Sequence, residues 1–326
     1  MKKFKYFILI LTVIVLYFNY NYPFFIYESK GWSVGWRFIA KDSLLNFKIS
    51  QNNILTSKYL NSLNQNKESI FLADPFVIEH NNKIYLFVEN QIVNDNARID
   101  LFTAEIGENF IYKGAVLDED FHLSYPQVFK EGNKFYMIPE AKKSNNVLLY
   151  ETQNFPYDWK IKDTLIKNVR YKDPTILSLF NKKLMFVVDD KLNLFVYESD
   201  KIEGPWNFKI KSTKLRGNEA RGAGRIFSYK DKLYMPVQNL SKGYGTGVSL
   251  YAINFIEDKI DFIKEKHLFL KPQNKKKIFN KGMHHLDILE FSNVYLVVYD
   301  GDEKNGNINF NWKRTIKYNL IDLGLY

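Results

Sequence analysis

The chain of 326 residues contains no cysteine. Structural disulfides, thiol nucleophiles and thiolate metal sites are therefore excluded. Proline and glycine are sparse, at 9 and 16 residues, while 46% of residues are hydrophobic. That balance suits a large packed core rather than a linker or a disordered chain. No glycine-rich phosphate loop runs from a strand into a helix, and no Asp-x-Asp pair sits in a nucleotide-binding context. Basic helices, zinc spacings and aromatic RNA-binding motifs are missing too, which argues against a nucleic-acid partner. Long amphipathic helices are also lacking, so helical solenoids are excluded.

What is abundant is positive charge and aromatic surface. There are 46 Lys+Arg against 36 Asp+Glu, for a formal charge of +10, and 17% of residues are aromatic. An anionic partner such as phospholipid, a sugar phosphate or an acidic glycan would match that excess. A general abundance of lysine and asparagine accounts for it equally well.

The N-terminus carries Lys2, Lys3 and Lys5 ahead of an apolar run from Tyr6 to Phe18. Lysines before such a run mark an export signal or signal anchor. The run is short of the roughly 20 residues that span a bilayer, and Tyr20, Tyr22, Phe24 and Phe25 extend it with interfacial aromatics. No small-x-small cleavage site follows, so the expectation is a retained anchor. Residues 1–22 then form a single-pass membrane or signal segment, and 23–326 an extracytoplasmic domain.

After residue 70 one unit recurs five times: ADPFVIEHNNKIYLFVEN, SYPQVFKEGNKFYMIPEA, KDPTILSLFNKKLMFVVDD, AGRIFSYKDKLYMPVQN and HHLDILEFSNVYLVVYDG. Each is an apolar strand, a polar turn and a second apolar strand, the signature of a β-hairpin. With Tyr85, Tyr136, Met185, Tyr234 and Tyr295 as register marks, the spacings are 51, 49, 49 and 61. A third strand follows each unit: IDLFTAEI, VLLYETQ, NLFVYESD, VSLYAIN and KRTIKYNL. This period predicts an all-β, five-bladed β-propeller behind a short N-terminal transmembrane helix. First-strand cores are expected at 75–80, 126–130, 174–180, 224–228 and 285–290. The segment 24–50 should supply a closing strand that pairs with the last blade.

The repeat also locates a site. The start of strand one and the end of strand two meet at one mouth of the channel. The starts give Asp74, Tyr125, Asp173, the Arg221–Arg225 turn and His284; the ends give Glu89, Glu140, Asp189, Gln238 and Asp300. A ring of carboxylates with arginines and histidines suits glycosidic-bond chemistry, because one carboxyl must hold a proton while another stays ionised. Crowding separates the two roles. Arginines would orient phosphate or carboxylate, and Tyr125 offers a flat face for a sugar ring. Solvated strand ends would also be polar, so a purely structural ring stays open.

WSVGW at 32–36, ADPF at 73–76, HLSYP at 122–126, YMIPE at 136–140, KDPT at 172–175, EGPW at 203–206, RGAGR at 221–225, QNLSKGYG at 238–245 and GMHHL at 282–286 occur in order. With these motifs the chain, from about residue 30 to 320, resembles the N-terminal propeller domain of glucosamine inositolphosphorylceramide transferases and its bacterial surface-polysaccharide relatives. More distantly it is similar to the arabinanase, xylosidase and fructosidase propellers. That second resemblance implies Asp74 as base, Asp173 as the residue that tunes the acid, and a general-acid Glu opening blade four. The fourth blade opens NEARGAGR, so Glu219 takes that role or Glu140 replaces it.

The catalytic candidates are thus Asp74, Asp173, Glu140 and Glu219. Substrate contacts are expected from Glu89, His122, Tyr125, Asp189 and Arg221, and from Arg225, Gln238, Tyr244, His284 and Asp300. No cofactor is called for. No metal is assigned either, because adjacent residues His284 and His285 should point to opposite faces of a strand. The expected function is a carbohydrate-active enzyme of surface polysaccharide or glycolipid assembly, with glycosyl transfer favoured over hydrolysis. An extracytoplasmic transferase would need a lipid-linked donor. A propeller that only binds a glycan or lipid head group is the reading from a different class.

Overall fold

The computed structural model describes residues 2–50, 52–63, 66–179, 181–256, 259–273 and 278–326. Helix α1 (Lys2–Asn21) has 20 residues, none of them buried, and is about 30 Å long at 1.5 Å per residue. By length and composition it can cross a membrane. It outruns the apolar stretch because the lysines before it and the Asn-Tyr tail after it join the same helix.

The rest is a five-bladed propeller. Strand β1 (Phe25–Ala40), β2 (Ile54–Leu55) and the short helix α2 (Ser57–Ser62) precede the first complete blade. Blade one is β3 (Ser69–His80), β4 (Lys83–Ile92), β5 (Ala97–Glu105) and β6 (Ile111–Leu117). Blade two is β7 (Ser124–Glu131), β8 (Lys134–Glu140), β9 (Asn146–Asn154) and β10 (Tyr157–Lys167). Blade three is β11 (Lys172–Leu179), β12 (Lys182–Val188), β13 (Asn193–Ser199) and β14 (Asn207–Arg216). Blade four is β15 (Phe227–Tyr229), β16 (Lys232–Asn239), β17 (Gly247–Ile256) and β18 (Lys259–Leu270). Blade five joins the two ends of the chain: β19 (Leu286–Glu290) and β20 (Val294–Phe310) pair with β1 and then β2. The closing strand expected from residues 24–50 is therefore β1.

Five apolar clusters fill the gaps between neighbouring blades. Phe76 and Ile99 meet Tyr125 and Met137 between blades one and two, and Val34 and Val298 meet Leu72 and Leu86 across the closure. Because every blade is covered on both faces, its second strand reads as a nearly continuous apolar run.

Three expectations are corrected. KRTIKYNL is not a strand but the body of helix α3 (Trp312–Asp322), capped by the Asn311 side chain on the Arg314 N–H; β1 already occupies its place in blade five. The first strand of blade four begins at Phe227, not 224. Gly224 lies at φ +125°, and a Cβ there would sit 1.8 Å from the Leu286 carbonyl oxygen, so the chain turns through a contact that only glycine allows. In blade three the register mark is Leu184, which pairs Leu177, rather than Met185. The run LMFVV is apolar on both faces, so its sequence leaves that one-residue choice open. Phe180, at the end of the 174–180 expectation, lies outside the described residues.

Candidate functional site

Blades one, two and three open with the same local device. Asp74, Tyr125 and Asp173 each precede a proline and each lie in the left-handed region, at φ +48°, +50° and +49°. The ladders skip there, between Ala73 and Phe76, Ser124 and Gln127, and Lys172 and Thr175. Each skip is a bulge of one residue, and bulges re-aim a side chain. Three non-glycine residues at positive φ are strained positions of the kind that cluster at functional sites.

The N–H groups of these bulge residues are taken by carboxylates of the ring. Asp300 Oδ2 accepts from the Asp74 N–H at 3.0 Å, Asp74 Oδ2 from the Tyr125 N–H at 3.2 Å, and Glu140 Oε2 from the Asp173 N–H at 3.2 Å. These bonds tie blade five to one, one to two and two to three. Arg221 then grips Asp173, Nε to Oδ2 at 2.6 Å and Nη2 to Oδ1 at 2.8 Å, and its Nη2 lies 3.6 Å from Glu140.

A second group surrounds Asp74. His284 Nδ1 meets Asp300 at 2.7 Å, and its Nε2 lies 3.6 Å from Asp74 Oδ1. His285 Nδ1 lies 3.5 Å from that same oxygen. Both histidines face one carboxylate, contrary to the expectation of opposite faces, because β19 starts only at Leu286 and the preceding residues are not in a regular strand. Among the described residues Asp74 Oδ1 has no hydrogen-bond partner. Asp74, His284 and Asp300 are the one group among the described residues offering three ligand atoms within 4.8 Å of one another, so they are the residues that could hold a cation.

Burial, then the charges of Glu89, Asp300 and Asp173, push the Asp74 carboxyl well above its ordinary range. Burial and the charge of Asp173 raise Glu140 to about 7, with Arg221 opposing. Burial works against ionisation of Asp300 as well, but the charge and hydrogen bond of His284 prevail and hold it below the usual range. Burial brings His285 down to about 3, leaving it neutral. The site therefore presents, beside the Asp173–Arg221 ion pair, a Glu140 carboxyl that holds its proton up to about pH 7.

The other expected residues divide. Glu89 pairs with His122 at 3.3 Å; burial pulls His122 down, yet Glu89 raises it above its usual value. Tyr244 is 45% exposed, stands over Arg221 at 5.5 Å and meets the His284 ring at 5.1 Å. Gln238 is buried and donates to the Gly222 carbonyl. Arg225 lies in a structural clasp, bonded to Asp287 and to the Val128 carbonyl oxygen. Asp189 does not join the ring: once Leu184 sets the register, the equivalent of Glu89 and Glu140 is Val188, and Asp189 caps the turn to Asn193.

Two residues are placed otherwise than expected. Tyr125 is no open platform, since it is fully buried, packed edge-on by Phe76 and His285. Its hydroxyl bonds Thr175 and both the N–H and C=O of Gly224. Glu219 is paired with Lys264 at 2.5 Å rather than left as a free carboxyl. Burial favours its proton, but Lys264, Ser249, Tyr251 and Asn239 all bond its carboxylate and keep its pKa low.

Trp32, His285 and Asp287 went unassigned in the sequence. The Trp32 ring lies 4.0 Å from that of His284, but it arrives from the far end of the chain. Asp287 carried a signal, a charged residue in the apolar run HHLDIL.

The family described as "Glucosamine inositolphosphorylceramide transferase 1, N-terminal" matches residues 40–302. The protein named glucosamine inositolphosphorylceramide transferase 1 of Oryza sativa subsp. japonica is 31% identical over 252 residues, which is 72% of this chain and 33% of that protein. Its Arabidopsis thaliana namesake is 28% identical over 254 residues, 73% of this chain and 33% of that protein. The chain spans about a third of the length of these curated relatives. Among solved structures, the catalytic domain of the Coprinopsis cinerea GH62 α-L-arabinofuranosidase superposes with a TM-score of 0.54 at 13% identity, over 74% of this chain and 87% of that one. A thermostable family-43 glycoside hydrolase gives 0.52 at 15% identity, over 73% and 92%. At such identities the likeness is one of fold.

Proposed function

Because the chain belongs to the glucosamine inositolphosphorylceramide transferase 1 N-terminal family, we propose that its propeller binds a saccharide at the channel mouth and promotes glycosyl transfer in glycolipid or surface-polysaccharide assembly. The observation that carries this reading is Glu140, a carboxyl raised to about 7 beside an arginine–aspartate pair. Glu140 gives its proton to the leaving glycosidic oxygen as that C–O bond breaks, and an acceptor hydroxyl oxygen attacks the anomeric carbon. The hydroxyl proton passes to Asp74. Asp74 holds its own proton in the free protein, so it first releases that proton to solvent water as positive charge develops at the reacting carbon, and the carboxylate so formed takes the hydroxyl proton. Arg221 keeps Asp173 fixed, and Tyr244 covers the sugar from the solvent side. The substrate reaches this site at a membrane to which α1 anchors the propeller, on the extracytoplasmic side.

A second reading has its own support. Asp173 is fully engaged by Arg221, as suits a rigid binding pocket that turns nothing over. The two readings part on Glu140→Gln and Asp74→Asn, assayed by calorimetric binding and by product formation on a panel of oligosaccharides and glycolipids. Transfer predicts that wild type forms product, that both variants lose it, and that Glu140→Gln still binds. Binding without product in wild type, across donors and acceptors, would move the second reading ahead. Release of free sugar without an acceptor would mark hydrolysis.

A further inference from the structure

The end of α1 is built into the propeller. The Asn319 amide donates to the Phe18 carbonyl oxygen at 3.1 Å, and Asn21 to the Asn319 side chain at 3.0 Å. Tyr22 is buried, donating to Asp322 at 2.5 Å and accepting from Asn218 at 2.9 Å. Thr315 donates to the Pro23 carbonyl oxygen at 3.2 Å. With no slack between helix and body, the side of the propeller that meets α1 is fixed.

That side is unusually apolar for a surface. The paired ends of β1 and β20 expose Phe25 at 64% and Phe310 at 55%. Helix α3 adds Trp312 at 47%, and the chain end adds Leu325 and Tyr326. Lys313 stands over the Trp312 ring at 5.8 Å and Lys317 over Tyr326 at 5.1 Å. Exposed aromatics interleaved with lysines beside a spanning helix have the composition of a membrane–water interface.

Behind this ribbon lies a cavity of about 350 Å³, lined by Lys242, Lys271, Lys281 and Lys304 with Tyr27 and Tyr244. Lys281 is paired with Asp302 at 2.5 Å, and Lys304 stands over Tyr27 at 4.3 Å. Lys242 and Lys271 have no carboxylate partner among the described residues. The loop bearing Lys242 and Tyr244 is held from α3, since Arg314 donates to the Leu240 and Ser241 carbonyl oxygens.

We propose that this face is a second membrane contact: the β1–β20 ribbon and α3 lie in the interface of a bilayer whose anionic phosphate head groups enter the lysine cavity. Continuity with α1 and the unpaired lysines select that occupant. Tyr244 lines the cavity and also stands beside Arg221 and His284 of the ring, so docking holds that ring beside the head groups. The inference rests on the reading of α1 as a retained span.

The test uses the full chain reconstituted in phosphatidylcholine vesicles, with or without phosphatidylglycerol, with acyl chains brominated or not. Tryptophan quenching by the brominated chains should be present in wild type, lost in Trp312→Phe and weakened in Phe25→Ser/Phe310→Ser. In phosphatidylglycerol vesicles, Lys242→Gln/Lys271→Gln should lower the docked-to-free ratio roughly fivefold per lysine. Equal quenching of wild type and Trp312→Phe overturns the contact, and quenching indifferent to the lysine changes overturns its anionic partner. Flotation reports α1 separately. A chain that floats without Trp312-dependent quenching loses the second contact and keeps the anchor, and a chain that does not float loses both. Neither readout involves sugar chemistry, so failure here is distinct from failure of the proposed transfer.

Discussion

Arg221 closes a two-pronged ion pair on Asp173, at 2.6 and 2.8 Å, with almost all of the Asp173 side chain removed from solvent. The pair bridges blades four and three at the point where Glu140 of blade two also arrives, so it is both part of the site and part of what keeps the ring closed.

Removing one partner leaves the other charge buried without compensation, which costs about 3–5 kcal/mol. Arg221→Gln should therefore destabilise the protein by that order in urea unfolding, and Asp173→Asn by less, because Glu140 at 3.6 Å still offers Arg221 a carboxylate. The double variant Asp173→Asn/Arg221→Gln should be less destabilised than the sum of the single changes. Additive losses would show that the two side chains do not act as a pair.

The raised pKa of Glu140 fixes the sign of a pH effect. Its folded value is about 7 against an ordinary 4.5, so the folded state holds a proton that the unfolded chain has released. The associated stability is fully present below about pH 4.5 and is lost as pH rises through about 7. Glu140→Gln should flatten the stability profile across that window. Product formation by wild type should also fall above pH 7 as the proton donor is lost.

Tyr244 is an exposed aromatic beside Arg221 and His284, and its removal should spare the fold. Tyr244→Ala should weaken saccharide binding about tenfold by calorimetry, with Tyr244→Phe nearly normal. An unchanged affinity in Tyr244→Ala would place the sugar elsewhere.

Tyr125 behaves as a structural pin. Tyr125→Phe keeps the packed ring but leaves the buried Gly224 N–H unpaired, a cost of about 1–3 kcal/mol. Unfolding should show that loss, while saccharide affinity per folded molecule stays unchanged.

The blade count and the closing role of the N-terminal strand were legible in the sequence. A hairpin is a local object, and five copies with similar spacing leave few ways to bury their apolar faces. Its limits appear where neighbours from distant blades decide the outcome. The choice between Leu184 and Met185 depends on which face meets blades two and four, since both residues are apolar. KRTIKYNL could pair as a strand until β1 takes that edge, and the segment then forms α3 beside α1. Glu219 and Glu140 are both carboxylates near the ring, yet four side chains hold one ionised while burial keeps a proton on the other. Repetition and hydrophobic pattern are properties of the chain itself. Register in an apolar run, the occupant of a shared edge and the charge of a buried carboxyl depend on contacts that exist only after the ring has closed.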